Sequence, residues 1–429
     1  MIKSNAKFLF ILYFTPPAPG TAPKRNFRIL KYIAGQVQHS ILFTAKYPDK
    51  PPVKIPKVET HAIMTFDYRT ILRQNTQDGY LPEQHKTARW KQWGIKFINT
   101  FPINILIGEG GLLYVNSVIR QANRLIHQQN ITHVYSSFRP FADHYIAYRL
   151  KKKNPALLWI ADFRDLIIDP HYKHHLFGKK QESYFRKMFS FATLMTTVSD
   201  GLALKLKAYN PNVAVIRNGI DTDYHVPPAV SSGYFTITYT GSMFLNTRNA
   251  RPLFDALKSL SGKDDNILKD VRIEYAGKDS FHWNKLAAAY LFESILVDHG
   301  FVSDDDAKRI QSQSCMNLLL TISSPELTGV LTGKMIEYFE SGSPVLGIVV
   351  GQNDPELQNI LTELEIGNSF SDSDLMGIEN FIYQEYLSWK KSGMNRKPVN
   401  VDVLKRKYSM DEIMMHFALP LNPLKGTSL

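Results

Sequence analysis

Short apolar runs alternate with longer amphipathic stretches along the first half of the chain. Residues 8–14 (FLFILYF) are apolar without a break, the pattern of a strand buried on both faces. Further short β-type runs fall at 40–44, 62–66, 132–136, 157–162 and 193–198. Between them, apolar residues three and four apart predict helices over 25–35, 112–128, 141–152 and 181–191. Strands that alternate with helices predict a parallel sheet covered on both faces.

Residues 217–232 (RNGIDTDYHVPPAVSS) break the pattern: Asn-Gly, a proline pair and a serine pair are turn and linker chemistry. The alternation then restarts. Strands are predicted at 235–240, 271–276, 294–297, 316–321 and 344–349, and helices at 251–260, 304–313 and 333–340. From residue 374 onward the chain reads as mostly helical. The expected organisation is an N-terminal domain at 1–222, a second domain at 223–398 and a helical tail at 399–429 that packs back toward the first domain. Each domain is expected to be an α/β, doubly wound unit. Such sheets bind ligands beyond the carboxyl ends of their strands, so the expected site is the cleft between the two.

Composition narrows this picture. The chain has 429 residues, 44% of them hydrophobic, enough for two cores. Its single cysteine, Cys315, fits a reducing, cytoplasmic compartment and excludes an internal disulfide. Lys3 and Lys7 before the first apolar run superficially resemble a short signal peptide. No small-residue cleavage site follows, and a first strand is the preferred reading. No apolar run has the length of a membrane span. Charge is uneven: residues 1–200 hold 29 Lys and Arg against 12 Asp and Glu, and residues 201–429 hold 22 against 27. A basic first half fits nucleic acid, anionic lipid or a phosphorylated substrate, or serves solubility alone. No helix-turn-helix, zinc or RNA-binding pattern supports nucleic acid.

Four stretches carry candidate chemistry. A Gly/Pro-rich loop (YFTPPAPGTAPKR) follows the first strand, with Gly20 and then Arg25 at the start of the next helix. It lacks the GxGxxG dinucleotide pattern. YTGSMFLNTRNARP follows the first strand of the second half. Gly241 and Ser242 there let backbone N–H groups approach a phosphate, with Arg248 and Arg251 nearby. In TGKMIEYFESGSPVL, Lys334 and Glu337 share one face near a helix start, where the cation meets phosphate and the carboxylate accepts from a diol. An exposed salt bridge is the plainer alternative. Finally, LLWIADFRDLIIDP interrupts an apolar run with Asp162, Arg164 and Asp165. Burying unpaired charge is expensive. These charges therefore belong at the carboxyl end of a strand, as a substrate-facing group or as a self-contained ion-pair turn. His144 is either a proton carrier or a structural contact.

Together these stretches resemble a known family. YTGS, HGFVSDDDAKRIQSQSCMNLLL and GKMIEYFESGSPVL are similar to the donor-binding half of GT-B glycosyltransferases of the family 4 type. In the first half PPAPGTAPKRNFRILKYI, VYSSFRPFADHYIAYRLKKK, WIADFRDL, TVSDGLALKL and IRNGIDTDY occur in that family's order. The resemblance implies two Rossmann-like domains, the donor bound mainly by the second and the acceptor by the first. It implies transfer of a sugar from a nucleotide-diphosphate-sugar, with retention, to a glycan or polyprenyl-linked acceptor in surface polysaccharide assembly. It assigns Glu337 to the ribose, Lys334 with Arg248 or Arg251 to the diphosphate, and Gly241 and Ser242 to its lining. Phe301 and Val302 would border the base, and Gly20 and Arg25 would face the cleft. Asp162, Arg164, Asp165 and His144 are the candidates near the anomeric carbon. No cofactor is expected beyond the nucleotide-sugar co-substrate. No metal is expected either, since His and Asp show no metal-ligand spacing.

There are departures from the family. Many relatives carry a second glutamate eight residues before the ribose-binding one; here that position is Gly329, and Glu326 stands three residues earlier. LIGEGGLLY replaces a Pro-Asp and Trp pattern, and Leu166 replaces a proline after DFRD. Rival readings are an epimerase or phosphorylase on the same scaffold, an inactive relative, and a basic nucleic-acid-binding protein. KTARWKQWGIKFINTFP adds a membrane question: Trp90, Trp93 and Phe97 form a stripe among Lys86, Arg89, Lys91 and Lys96. The stripe either packs into the core or lies on the cytoplasmic face of an anionic membrane.

Overall fold

The computed structural model describes residues 6–18, 20–47, 51–65, 89–108, 110–168, 176–221, 223–243, 248–395 and 400–417. The chain forms two compact units. One is Met1–Arg217 with Met410–Leu429, and the other is Asn218–Ser409. The divisions fall at 217/218 and 409/410, where the sequence pattern puts them at 222/223 and 398/399.

The first unit holds strands β1 (Phe8–Ile11), β2 (Ser40–Ala45), β3 (Val58–Ile63), β4 (His133–Phe138), β5 (Leu158–Phe163), β6 (Leu194–Thr197) and β7 (Val213–Val215). They form one parallel sheet in the order β3-β2-β1-β4-β5-β6-β7. All four side chains of β1 are buried because the sheet is covered on both faces. Leu9 and Ile11 enter one core with Phe43 and Trp159; Phe8 and Phe10 enter the other. That second core is closed by Ile29, Leu30 and Ile33 of the helix Thr21–Gln36 and by Met410, Met414 and Phe417 of the helix Met410–Phe417. Each of these large buried side chains contributes about 1.5–3 kcal/mol. The end of the chain is thus a structural part of the unit that begins it. β3 begins four residues before the predicted run at 62–66, and residue 66 lies outside the described residues. As an edge strand with half-buried, polar-rich residues, it lacks the apolar signature the reading relied on.

The second unit repeats the plan with β8 (Phe235–Thr240), β9 (Val271–Ala276), β10 (Leu296–Asp298), β11 (Met316–Ser323), β12 (Val345–Gly351) and β13 (Gly367–Ser371). Their order is β10-β9-β8-β11-β12-β13, again all parallel. In both sheets the strand order reverses at the first strand, β1 and β8, which is where such folds place ligands. The helix Gly333–Ser341 connects β11 to β12. It stops at Gly342, whose φ of 72° is left-handed and whose N–H donates to the carbonyls of Tyr338 and Phe339. Among the described residues no helix is long and apolar enough to cross a membrane. Nor, among them, do three His, Cys, Asp or Glu side chains gather where they could share a metal ion.

Candidate functional site

In the second unit the chain turns sharply after β8. Gly241 has φ +114°, a conformation that favours glycine, and its N–H donates to the carbonyl of Ala276 at 2.6 Å. A Cβ built on Gly241 would lie 1.8 Å from Lys334 Nζ. Lys334, in the first turn of the helix Gly333–Ser341, therefore lays its ammonium on this bare backbone. Its Nζ also lies 4.6 Å from the centroid of the Tyr239 ring. Arg248 reaches the same turn and donates to the Ser242 carbonyl at 2.7 Å and to the Tyr239 hydroxyl at 3.5 Å. Burial and then the Arg248 charge push the Lys334 ammonium down to about 7, against the pull of Glu337 one turn along. Two cations thus crowd a backbone turn beside a helix N-terminus, an arrangement suited to phosphate oxygens.

The sequence reading missed what holds this turn in place. The Tyr275 hydroxyl donates to the Gly241 carbonyl at 3.1 Å and accepts from the N–H of Asp279 at 2.7 Å. Asp279 in turn accepts from the N–H of Met243 at 2.7 Å. Tyr275 and Tyr239 are register partners, and both rings stack on Trp283, at 5.1 and 5.6 Å. A Cβ on Gly277 would meet the Tyr275 hydroxyl at 2.2 Å and the Gly241 carbonyl at 2.4 Å. A signal was present: Tyr-x-Gly ends both β8 (239–241) and β9 (275–277).

The remaining donor-side candidates divide. Gly300 accepts from the N–H of Gly277 at 2.8 Å, so the loops after β9 and β10 are tied together. Phe301 beyond it is exposed, with Lys278 Nζ 4.8 Å above its ring, and Val302 is half-buried. Arg251 is exposed at the first residue of the helix Arg251–Ser261, where its charge acts on Tyr290. Arg248 is the arginine brought to Lys334. Glu326 is exposed at the tip of a tight turn closed by Ser324 and Leu327. Gly329 is buried at φ +67°, and its N–H donates to Asp354 at 2.7 Å. A side chain at 329 would be strained whatever its chemistry.

The first unit corrects the placement of two expected cleft residues. Asp162 and Arg25 are both buried, and they pair bidentately: Nη2 donates to Oδ1 at 2.7 Å and Nε to Oδ2 at 3.2 Å. Thr196 and Ser137, on the strands flanking β5, donate to the same carboxylate at 2.8 and 3.2 Å. Burial opposes the charge, but Arg25 and then Thr196 outweigh it and hold Asp162 below the ordinary carboxylate value. The two groups neutralise each other in the interior and are not left to face a ligand. Arg164 donates to the Phe138 carbonyl at 3.0 Å, while Asp165 is exposed. Gly20 is exposed at φ +104°, with nothing within 4 Å of a built Cβ.

His144 is also interior. Its Nδ1 lies 2.7 Å from the Ser136 hydroxyl, which accepts from the Trp159 indole at 2.9 Å, and rings of Phe138, Phe163 and Phe189 surround it. Burial pushes it down to about 3, so the imidazole is neutral at physiological pH. Its neighbour Asp143 was passed over. That buried carboxylate accepts from the N–H of Tyr13 at 2.8 Å and the Tyr114 hydroxyl at 2.9 Å, pinning the loop after β1. Burial raises its pKa well above the ordinary value.

No protein-family profile matches the chain, and no curated protein matches it in sequence. Solved structures match nearly all of it. Sucrose-phosphate synthase from Thermosynechococcus elongatus is 12% identical with a TM-score of 0.63, over 97% of this chain and 98% of its own. The lipopolysaccharide outer core galactosyltransferase WaaB is 10% identical with a TM-score of 0.58, over 96% and 99%. S. aureus TarM, crystallised with UDP, is 11% identical with a TM-score of 0.57, over 97% and 100%. At these identities the likeness is one of fold, and it agrees with the two sheet orders. The chain has the GT-B fold, two Rossmann-like units in one polypeptide.

Proposed function

We propose that the protein is a retaining glycosyltransferase that uses a nucleotide-diphosphate-sugar and a glycan or polyprenyl-linked acceptor, in surface polysaccharide assembly. The observation that carries this reading is the seating of Lys334 on Gly241 with Arg248 alongside, at the start of the helix Gly333–Ser341. In the reaction the bond between the anomeric carbon and the diphosphate breaks, one to the acceptor oxygen forms, and the proton of the acceptor hydroxyl is released with the departing diphosphate. Lys334, Arg248 and the helix N-terminus take up the charge that develops on the departing diphosphate. Glu337 accepts from the ribose diol, and Phe301 and Val302 border the base. Of the four groups expected near the anomeric carbon, Asp165 keeps that role, since its carboxylate is exposed. The shared fold with WaaB and with UDP-bound TarM supports the donor and the polysaccharide setting.

A thermal-shift screen against nucleotide-sugars tests the donor: one or more should raise the melting temperature. Glu337→Ala and Lys334→Ala should then abolish both that shift and transfer, with circular dichroism unchanged. Wild-type rates in both variants would defeat the assignment. Turnover that needs no acceptor would point to an epimerase instead.

A further inference from the structure

The turn after β8 carries two backbone carbonyls, those of Gly241 and Ser242, where the diphosphate is proposed to sit. A carbonyl oxygen repels an anion, so the direction of each matters. Both are taken up by tyrosine hydroxyls. Tyr239 donates to the Ser242 carbonyl at 2.8 Å, and its register partner Tyr275 donates to the Gly241 carbonyl at 3.1 Å. Burial raises the pKa of both phenols, so each keeps the proton it donates.

A trans peptide group is planar, with its N–H opposite its C=O. The Gly241–Ser242 peptide is trans. The bond that fixes the Gly241 carbonyl on Tyr275 therefore also fixes the Ser242 N–H, and points it away from the phenol. The amides on either side are already used: Gly241 donates to the Ala276 carbonyl and Met243 to Asp279. Among the described residues the Ser242 N–H has no partner, although Ser242 is half-buried and follows the glycine on which Lys334 lies. Tyr275 is itself held independently of the turn. Its ring stacks on buried Trp283 at 5.1 Å, and its hydroxyl accepts from the Asp279 N–H at 2.7 Å. Gly277 leaves room for that hydroxyl, since a Cβ there would lie 2.2 Å from it.

We propose that Tyr275 is a positioning residue for the diphosphate: by holding the Gly241 carbonyl it aims the Ser242 N–H at the phosphate oxygens that Lys334 and Arg248 neutralise. Tyr275 does not touch the anion. It makes the turn offer a donor where it would otherwise offer a carbonyl. The proposal rests on the diphosphate reading of this site, and its test separates the two.

Tyr275→Phe keeps the ring and its stack on Trp283 and removes only the hydroxyl. Calorimetric titration of the full chain with inorganic pyrophosphate should then give an affinity about tenfold below the wild type. In protein carrying isotope-labelled serine, the Ser242 amide resonance, assigned by its loss in Ser242→Ala, should shift when pyrophosphate binds the wild type and stay in place in Tyr275→Phe. Tyr386→Phe is the control: it removes another buried phenol of the same unit, one that donates to Asp270 at 2.7 Å. It should lower the melting temperature yet leave both the affinity and the Ser242 shift as they are. Gly277→Ala displaces the Tyr275 hydroxyl from the other side, and decides the matter if Tyr275→Phe folds poorly. Wild-type affinity in both Tyr275→Phe and Gly277→Ala would overturn the proposal and leave the diphosphate reading standing. A fall in affinity with the Ser242 shift intact would overturn it too, because the tyrosine would then act on stability alone. A wild type that binds neither pyrophosphate nor any nucleoside diphosphate would overturn the diphosphate reading, and this proposal with it.

Discussion

The carboxyl ends of β5 and β8 both bring buried or half-buried charges together, yet the two ends are built to opposite purposes. At β5 an arginine meets an aspartate, two hydroxyls complete the carboxylate's hydrogen bonds, and the pair closes on itself. At β8 a lysine is pressed against a bare glycine beside an arginine, and its ammonium is driven down to about 7. In the first arrangement the surroundings favour the charged state of Asp162. In the second they oppose that of Lys334. A satisfied pair is scaffold. A strained cation at a helix N-terminus is a place where an anion relieves the strain, which is why perturbed groups mark functional sites.

The largest expected effect comes from breaking the satisfied end. Asp162→Ala leaves the Arg25 charge buried without its partner and should cost about 3–5 kcal/mol, read from the urea midpoint. Total stabilities run to only about 5–15 kcal/mol, so this variant should be near collapse. Asp162 has a lowered folded value, so its contribution is complete above its ordinary 3.8 and is lost as pH falls through the folded value. Lys334→Met should move stability the other way. It removes a charge the fold opposes, so the melting temperature should rise while the donor-induced shift disappears. If Asp162→Ala melts like the wild type, or Lys334→Met melts lower, the contrast between the two ends is wrong.

A smaller change sharpens the same contrast. Gly241→Ala places a methyl where Lys334 Nζ now sits, at a φ of +114° that alanine tolerates poorly. The ammonium must swing away, so donor affinity should fall by about tenfold or more while the fold survives with a loss of about 1–2 kcal/mol. Calorimetric titration with the donor checks it. An unchanged affinity would mean that the lysine's seat has no bearing on the anion.

Local pattern revealed much of this architecture. β1 was legible because burial on both faces leaves an unbroken apolar run. The helix Pro355–Glu363 escaped notice although Asp354 caps it and Pro355 opens it. The site was legible only in pieces. Gly241 and Lys334 were each singled out, but their contact spans two motifs far apart in sequence, and only the strand order brings them together. For the same reason Arg25 was expected at a ligand. Its partner Asp162 lies 137 residues away, and the burial that couples them is a property of the sheet rather than of either motif.

The gentlest test changes only the pH. In the free protein Lys334 loses its proton near 7, well below its ordinary 10.5. Between those values the unfolded chain binds more protons than the folded one, so this group makes stability rise with pH across that window. Donor binding should follow the opposite slope. A bound diphosphate favours the ammonium and raises its pKa, so affinity should be flat below about pH 7 and weaken by up to about tenfold per unit above it. Titrations in buffers of different ionisation enthalpy should show proton uptake on binding near neutral pH. Lys334→Arg should flatten the profile, because a guanidinium stays charged throughout. A wild-type profile already flat from about pH 6 to about pH 9 would mean that Lys334 and the diphosphate do not meet. The Lys334 seat at the end of β8 would then be an internal packing arrangement, like the Arg25–Asp162 pair at β5.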